Sequence, residues 1–335
     1  MTDKCEIWLS DANMTHSAGV SLASTLYRTD ITIGFIGELG AGKTTFLQGF
    51  LKGLGVVDTV TSPTYALEQR YKGNQSEIIH IDLYRLDEGK TDEFLHGSDD
   101  HTGIRCIEWI NRSSAKPDIL IELEEDDNGR SLRISFDDIP LPTESDIAQW
   151  RKEVALPSRI CDHCDAVSRL SVELGEQTMK RGTIIRPQAL KVSALVHDLL
   201  RFVDFVPGGG HGPDENSEAP EWKELKIKYE GKEHEEACAS LLRERGYSEL
   251  ATIVEVHGLK LPSPDRVTIE QKILFYADKR VKMDEVVTLE ERFDDFRIRY
   301  AGGKKTNEGA IWFAEAKTIE KELLFDDYKT ENLKT

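Results

Sequence analysis

No apolar run in this chain approaches the ~20 residues that a membrane-spanning helix needs, since even the β-branched stretch Ile31 to Ile36 stops far short of it. A basic segment followed by an apolar one is also missing at the N-terminus, where Asp3 and Glu6 stand instead. No signal peptide is read, and the expected location is the cytoplasm, with no membrane partner. Cysteine is scarce: five in 335 residues, at 5, 106, 161, 164 and 238, an odd number in no regular framework, which argues against structural disulfides. Cys161 and Cys164 have the spacing of half a zinc knuckle, but no second pair exists, and both are expected to be reduced helix residues. Positive charge is short as well: 43 Lys and Arg face 61 Asp and Glu, a net charge of −18. Such a field repels phosphate backbones, so direct binding of naked nucleic acid would need a local basic patch that the sequence does not display.

What is present reads as globular and double. The length exceeds one comfortable core, and 39% hydrophobic with 31% charged residues is ordinary for folded domains. Up to about residue 140 strands dominate: 4–10, Ile31–Ile36, Ala66–Tyr71, Glu77–Leu83, Ile104–Trp109, and Ile119–Glu124 with Ser131–Phe136 across an Asn128-Gly129 turn. Helices are expected at Asp11–Tyr27 and directly after Gly42, giving an α/β domain with a mixed sheet over 1–140. Pro140, Pro142 and Pro157 punctuate a polar stretch taken as a linker, 141–157. The rest, 158–335, has helical periodicity and is expected to be all-α: Ser158–Met179, Pro187–Phe202, Lys232–Arg245, Ser248–His257, Ile269–Asp284 and a tail helix over Ala310–Leu324. Pro187 suits a first turn, Gly246 and Gly258 suit C-terminal caps, and Thr268 with Gln271 forms a capping box. Pro207–Pro220, rich in Gly, Pro and acid, reads as a loop or lid.

The strongest chemical signal is the run Gly37-Glu38-Leu39-Gly40-Ala41-Gly42-Lys43-Thr44-Thr45, placed between a strand and a helix. In that context glycines let backbone N–H groups wrap a polyphosphate, the lysine reaches the β- and γ-phosphates, and the Thr44 hydroxyl joins Mg²⁺. The reading is a P-loop NTPase domain with ATP and Mg²⁺ as cofactors. A metal-side carboxylate is also needed, and Asp82 at the end of one apolar strand is placed for it, with Glu108 at the end of another as a further candidate.

Four motifs in order, the glycine-rich run with Ser62-Pro-Thr-Tyr65, His80-Ile-Asp-Leu-Tyr-Arg85 and Ile107-Glu-Trp109, resemble the TsaE (YjeE) family, the small ATPase of threonylcarbamoyladenosine (t6A) synthesis on tRNA. The resemblance covers residues 1 to about 137. It implies that Thr44 and Glu108 hold Mg²⁺, that Asp82 orders the attacking water or metal shell, that Thr64 sits on a switch loop, and that Trp109 packs by the nucleotide. It also implies a TsaD–TsaB-type partner complex, with tRNA reached only indirectly.

The second half offers His163, the pair His197-Asp198, His234, His257 and Asp278, each on an expected helix or at a helix end. Six N and O groups suit Mn, Fe, Mg or Ni better than a closed zinc site. The order His…His-Asp…His…His…Asp, with Ala194-Leu-Val-His-Asp-Leu-Leu-Arg201 and His234-Glu-Glu-Ala237, resembles the HD-domain metal-dependent phosphohydrolases. The resemblance implies His163, His197, Asp198 and Asp278 around a first divalent metal (Mn, Fe, Ni or Co), with Asp198 shared with a second held by His234 and His257. Arg201, and Lys279 or Arg280, would receive the phosphate; His211 stands outside the set. The favoured expectation is a bifunctional enzyme: an ATPase serving t6A synthesis and a hydrolase for a nucleotide phosphate ester, such as an N6-modified adenine nucleotide. The alternatives are a nucleotide-gated binding module on an inert HD scaffold, or an HD hydrolase controlled by ATP binding.

Overall fold

A computed structural model describes residues 3–209, 214 and 219–324; His211 and the chain beyond Leu324 lie outside the described residues. Two compact units emerge. The first holds the described residues of Thr2–Ile139 together with Glu176–Pro187, and the second those of Pro140–Gly175 and Gln188–Thr335.

The first unit is a seven-stranded mixed sheet in the order β1-β7-β6-β2-β5-β4-β3. Its strands are β1 (Asp3–Leu9), β2 (Ile31–Ile36), β3 (Glu68–Lys72), β4 (Glu77–Asp82), β5 (Ile104–Glu108), β6 (Ile119–Asp126) and β7 (Gly129–Phe136). The apolar run Ile31–Ile36 is buried on both faces, as a central parallel strand must be, and it pairs in parallel with β5 and β6. The edge strand β1 instead alternates buried and exposed residues and pairs antiparallel with β7. Helices α1 (Ala12–Ala23) and α2 (Lys43–Gly53) cover one face, with α1 opened by Asp11, whose side chain accepts from Met14 N–H at 2.9 Å. Their backbones meet at Gly49, where an added Cβ would stand 1.9 Å from the His16 carbonyl oxygen. The short α3 (Thr91–His96) packs Leu95 with Ile79, Ile81, Ile107 and Ile110 on the other face. Strand ends sit within two residues of the sequence expectation, while α1 stops four residues before Tyr27.

The second unit is helical: α4 (Glu144–Glu153), α5 (Ser158–Met179, up to Gly175), α6 (Pro187–Val196, from Gln188), α7 (Pro220–Lys228), α8 (His234–Glu244), α9 (Ser248–Val254), α10 (Ile269–Asp278), α11 (Leu289–Ala301) and α12 (Asn307–Leu323). It is not purely α, because β8 (Val281–Lys282) and β9 (Glu285–Val286) form a small hairpin where α10 was expected to continue to Asp284. Other differences have local causes. The stretch read as a linker carries α4, opened by a capping box between Thr143 and Asp146. α11, likewise unforeseen, starts with a capping box between Thr288 and Glu291. α6 ends at Val196, before the His197-Asp198 pair, and a 3₁₀ turn follows over Arg201–Asp204. Gly246 does take the left-handed conformation after α8, at φ 86°. Gly258 caps nothing: an added Cβ there would meet the Glu235 carboxylate at 1.8 Å.

Residues 176–187 belong to the first unit for a physical reason, a buried ion pair. Arg186 and Asp138 are both fully buried and meet at 2.7 Å; Arg186 also donates to the Thr25 carbonyl at 2.5 Å and lies 4.4 Å over the Phe136 ring. Removing one partner strands a desolvated charge. Arg186→Met should therefore destabilise the first unit by about 3–5 kcal/mol, read as an earlier transition in urea unfolding of the full chain followed by circular dichroism. A shift within experimental error would show that the pair contributes nothing.

Candidate functional sites

Parallel pairing puts the C-terminal ends of β2, β5 and β4 side by side, where open α/β sheets bind ligands. Glu108 is in register with Phe35 on one side and with Asp82 on the other. One residue beyond Ile36 the chain enters the glycine loop, with φ of 154° at Gly37, 90° at Gly40 and 104° at Gly42. A side chain at Gly37 would strike the Leu123 carbonyl oxygen at 2.5 Å. Gly42 opens α2 with no side-chain cap, so the first N–H groups of that helix are left for an anion. Glu38, Leu39 and Gly40 form the exposed crest of the loop, Ala41 is buried beneath it, and Thr44 and Thr45 lie in the first turn of α2.

Lys43 is buried and bends back into the loop, donating to the carbonyls of Gly37 at 2.6 Å and Glu38 at 3.0 Å, with its Nζ 4.4 Å from the centre of the Trp109 ring. Burial lowers its pKa, and Glu108, Asp82 and Glu38 partly oppose that. Trp109 itself has φ 61°, a conformation that costs a bulky residue energy, and is fixed by Tyr84 at 5.0 Å and by its N–H to the Phe35 carbonyl at 2.9 Å. Asp82 is held from both sides: Oδ2 accepts from Thr64 at 2.6 Å and Ser62 at 3.1 Å, and Oδ1 from the Tyr84 N–H at 2.9 Å. It thus anchors the Ser62–Tyr65 turn. Glu108 Oε1 lies 2.9 Å from His80 Nε2, and both groups are buried. His80 was quoted in the sequence only as part of a motif. Its position two residues before Asp82 on one strand, hence on the same face, was the available signal.

A glycine loop between a parallel strand and a helix, a buried lysine inside it and two carboxylates on adjacent strand ends define a P-loop nucleotide-binding module, and these residues fit ATP with Mg²⁺. Residues 9–132 match the family model described as "Threonylcarbamoyl adenosine biosynthesis protein TsaE". The TsaE protein of a Nostoc species is 34% identical over 123 residues, 35% of this chain and 75% of the relative; that of Aquifex aeolicus is 37% identical over 133 residues, 38% of this chain and 94% of the relative. The chain belongs to the TsaE family, through its first unit. A crystal structure of Bacillus subtilis YdiB aligns with a TM-score of 0.33 and 23% identity over 41% of this chain and 87% of that one, too distant to add to the sequence match.

In the second unit all six sequence candidates come together. His163 on α5, Asp278 at the end of α10, His197 and Asp198 after α6, His234 opening α8 and His257 after α9 are all buried. Three of the histidines spend one nitrogen on a backbone carbonyl: Nδ1 of His197 on Ala194 at 2.7 Å, of His257 on Val254 at 2.6 Å, and of His163 on Met283 at 2.8 Å. A carbonyl only accepts, so Nδ1 carries a proton and Nε2 is the nitrogen turned inward. There it faces oxygen: His163 Nε2 is 3.0 Å from Asp278, His197 Nε2 3.7 Å from Asp198 and 3.8 Å from Asp278, and His257 Nε2 3.7 Å from Asp198. The Nε2 atoms of His197 and His257 are buried with no hydrogen-bond partner among the described residues. Nitrogen and carboxylate oxygen converge at the end of the cavity, and His163, His197 and Asp278, like His197, Asp198 and His257, bring one donor atom each within 4.8 Å of one another, a donor set that could hold a cation. Burial pushes the Asp198 carboxyl up, but His197, His234 and His257 outweigh it and hold it well below the usual range; Lys279, His163 and His197 do the same for Asp278.

Two acidic groups were missed. Asp204 accepts from the His234 backbone N–H at 3.0 Å and sits 2.5 Å from His234 Nδ1, orienting the ring whose Nε2 is 3.2 Å from Asp198. Glu235, buried and grouped with His234 and His257, has one carboxylate oxygen without a hydrogen-bond partner. Nothing in the spacing singled out Asp204, and Glu235 stood inside a quoted motif. Arg201 pairs with Asp204 and lines the same cavity as Asp198 and Lys279, whereas Arg280, expected as a phosphate receiver, is fully buried against Tyr276 and the Val287 carbonyl and is not among the residues lining it.

Because Lys43 rests on Trp109, binding of ATP with Mg²⁺ should draw its ammonium to the phosphates and change Trp109 emission. Fluorescence titration of the full chain checks this: the change should vanish in Trp109→Phe and in Lys43→Ala, and persistence in Trp109→Phe would assign it to another tryptophan.

Proposed function

We propose that the chain is bifunctional: an ATPase of the TsaE type serving t6A formation on tRNA, joined to an HD-type metal-dependent phosphohydrolase acting on a nucleotide phosphate ester. For the first activity, the family membership is the support, together with the juxtaposition of Lys43, at the start of α2, with Asp82 and Glu108 at neighbouring strand ends. The loop N–H groups bind the polyphosphate, Lys43 exchanges two carbonyls for phosphate oxygens, and the Thr44 hydroxyl with Glu108 would hold Mg²⁺, which supplies charge neutralisation on the β- and γ-oxygens. Asp82 ties the Thr64 turn to the strand, so that turn is where the presence of a γ-phosphate would be read. A TsaD–TsaB-type complex is the partner through which tRNA is reached. Replacing a bacterium's own TsaE with this chain should restore t6A in digested tRNA, measured by mass spectrometry, while the Lys43→Ala chain should not; restoration by Lys43→Ala would remove ATP turnover from the role.

The second activity is carried by the inward Nε2 atoms of His197 and His257 beside Asp198, buried and without a hydrogen-bond partner among the described residues. His163, His197, Asp198 and Asp278 would hold one divalent ion, and His234, His257 and Asp198 a second. Bound there, such ions supply Lewis acidity at phosphorus and lower the pKa of a water. The protein's own part is to fix the donors: three carbonyls orient His163, His197 and His257, and Asp204 orients His234. Arg201 and Lys279 line the cavity as cations for the phosphate. A nucleotide, with an N6-modified adenine nucleotide as the specific expectation, fits the link to an adenosine-modifying ATPase. Loading the full chain with Mn²⁺ and offering a nucleotide panel should release phosphate, and release should cease in Asp198→Ala; no release from any nucleotide would overturn the reading.

Asp204→Asn should lower Mn²⁺ affinity about 10–100-fold, measured by competition with a chelator. Affinity should also depend on pH in a defined direction. Burial and Arg201 push the His234 pKa down, but Glu235, Asp198 and Asp204 carry it up to about 9. Below that pH a proton occupies the ligand, so Mn²⁺ affinity should rise as pH increases toward 9, about tenfold per unit for each proton displaced, and then level off. A flat profile between pH 6 and 9 would show that His234 is not a ligand.

A further inference from the structure

α11 brings into the second unit a guanidinium whose bonding capacity is left over. Arg292 is only 7% exposed, yet its Nε has no hydrogen-bond partner among the described residues. An unpaired buried donor of this kind is costly unless water or a ligand satisfies it. The side chain is held in place, stacked 4.2 Å over the Phe296 ring with Nη1 donating to Asp295 at 3.1 Å. Asp295 is shared, because Arg299 at 2.5 Å and Lys282 at 3.4 Å reach the same carboxylate, and the other carboxylate acting on Arg292 is Asp278, at the metal-site end of the cavity. Arg292, Lys282 and Arg299 all line the cavity of about 1030 Å³ that also exposes Asp198, His234 and Asp278. That volume far exceeds a phosphate ion, and part of the wall is aromatic: Phe293 packs 5.6 Å from Phe296 and 5.3 Å from Phe313, which comes from α12, and all three are half-buried and line the cavity.

We propose that Arg292 receives the anionic oxygens of a phosphomonoester and that Phe293, Phe296 and Phe313 seat a flat ring of the same molecule, so that α11 and α12 select the substrate. The proposal rests on the hydrolase reading and narrows it. In the reaction, a water oxygen bonds to phosphorus, the ester P–O bond breaks, and the alcohol departs with a proton from that water. Arg292 neutralises oxygens that bear charge throughout, while the rings bind the part that leaves.

The test uses the full chain loaded with Mn²⁺, metal content measured alongside, and calorimetric titration with inorganic phosphate, methylphosphonate and phenylphosphonate. Arg292→Gln should weaken phosphate binding about tenfold or more with Mn²⁺ content unchanged, and Arg292→Lys should restore part of it. Asp295→Asn, which breaks the same intrahelical pair but keeps the guanidinium, should bind phosphate at least as well as the parent. Phenylphosphonate should bind more tightly than methylphosphonate, by a margin that Phe293→Leu narrows. Parent-like phosphate binding in Arg292→Gln, or equal losses in Arg292→Gln and Asp295→Asn, would overturn the role of Arg292 and leave the metal centre standing. Equal affinity for the two phosphonates would overturn the aromatic seat. A parent chain that retains no Mn²⁺ would remove the hydrolase reading itself, and this proposal with it.

Discussion

The parallel pairing of β2 with β5, and of β5 with β4, is the constraint from which the nucleotide site follows. A parallel ladder aligns strand ends pointing the same way, so the residues that follow or finish three apolar strands arrive at one edge of the sheet. Gly37, Asp82 and Glu108 are distant in sequence and become neighbours for that reason alone. Lys43 then has two classes of partner within reach, loop carbonyls and strand-end carboxylates. A lysine so placed is held by interactions that a polyphosphate can replace. Trp109, kept at positive φ by its bond to the Phe35 carbonyl and by Tyr84, closes the other side of the ammonium.

The second unit solves a different problem, the concentration of ionisable groups in a buried space. Four imidazole rings follow one another at centroid spacings of 4.9–5.5 Å around Asp198 and Asp278. Left to solvent exclusion alone such a cluster is unfavourable, because each charge loses hydration. Here three backbone carbonyls orient His163, His197 and His257, and the carboxylates face the inward Nε2 atoms of those rings. The arrangement is stable as a whole only with positive charge at its centre, supplied by protons or by metal. This is the physical basis on which a hydrolase is proposed, and it does not depend on the ATPase half of the chain.

Legibility in the sequence tracked how local the determining interaction is. The strand–loop–helix at Ile31 to Gly53, the capping box at Thr268 and Gln271 and the first-turn Pro187 all depend on neighbours a few residues away, and each was readable; the β6–β7 hairpin was too, although its turn is Asp127-Asn128 and Gly129 already pairs in β7. The capping boxes that start α4 and α11 were equally local but lay in highly charged segments, Glu144–Glu153 and Leu289–Ala301, and were not read as helix starts. Gly258 shows the opposite failure: the glycine in a plausible capping position caps nothing, and the Glu235 carboxylate, from another helix, lies where its side chain would be.

The sequence by itself determined the chemistry available: a phosphate loop with its lysine, two strand-end carboxylates, and a histidine–aspartate set in a recognisable order. Those follow from residue type and short spacing. Only the tertiary structure decided which groups meet and which side chains are spoken for. It withdrew Arg280 into a buried pair with Tyr276, recruited Asp204 behind His234, placed Arg292 in the cavity, and assigned residues 176–187 to the first unit through Arg186 and Asp138. Each of those outcomes depends on burial and on the position of a partner remote in the chain, and neither quantity exists until the chain is folded.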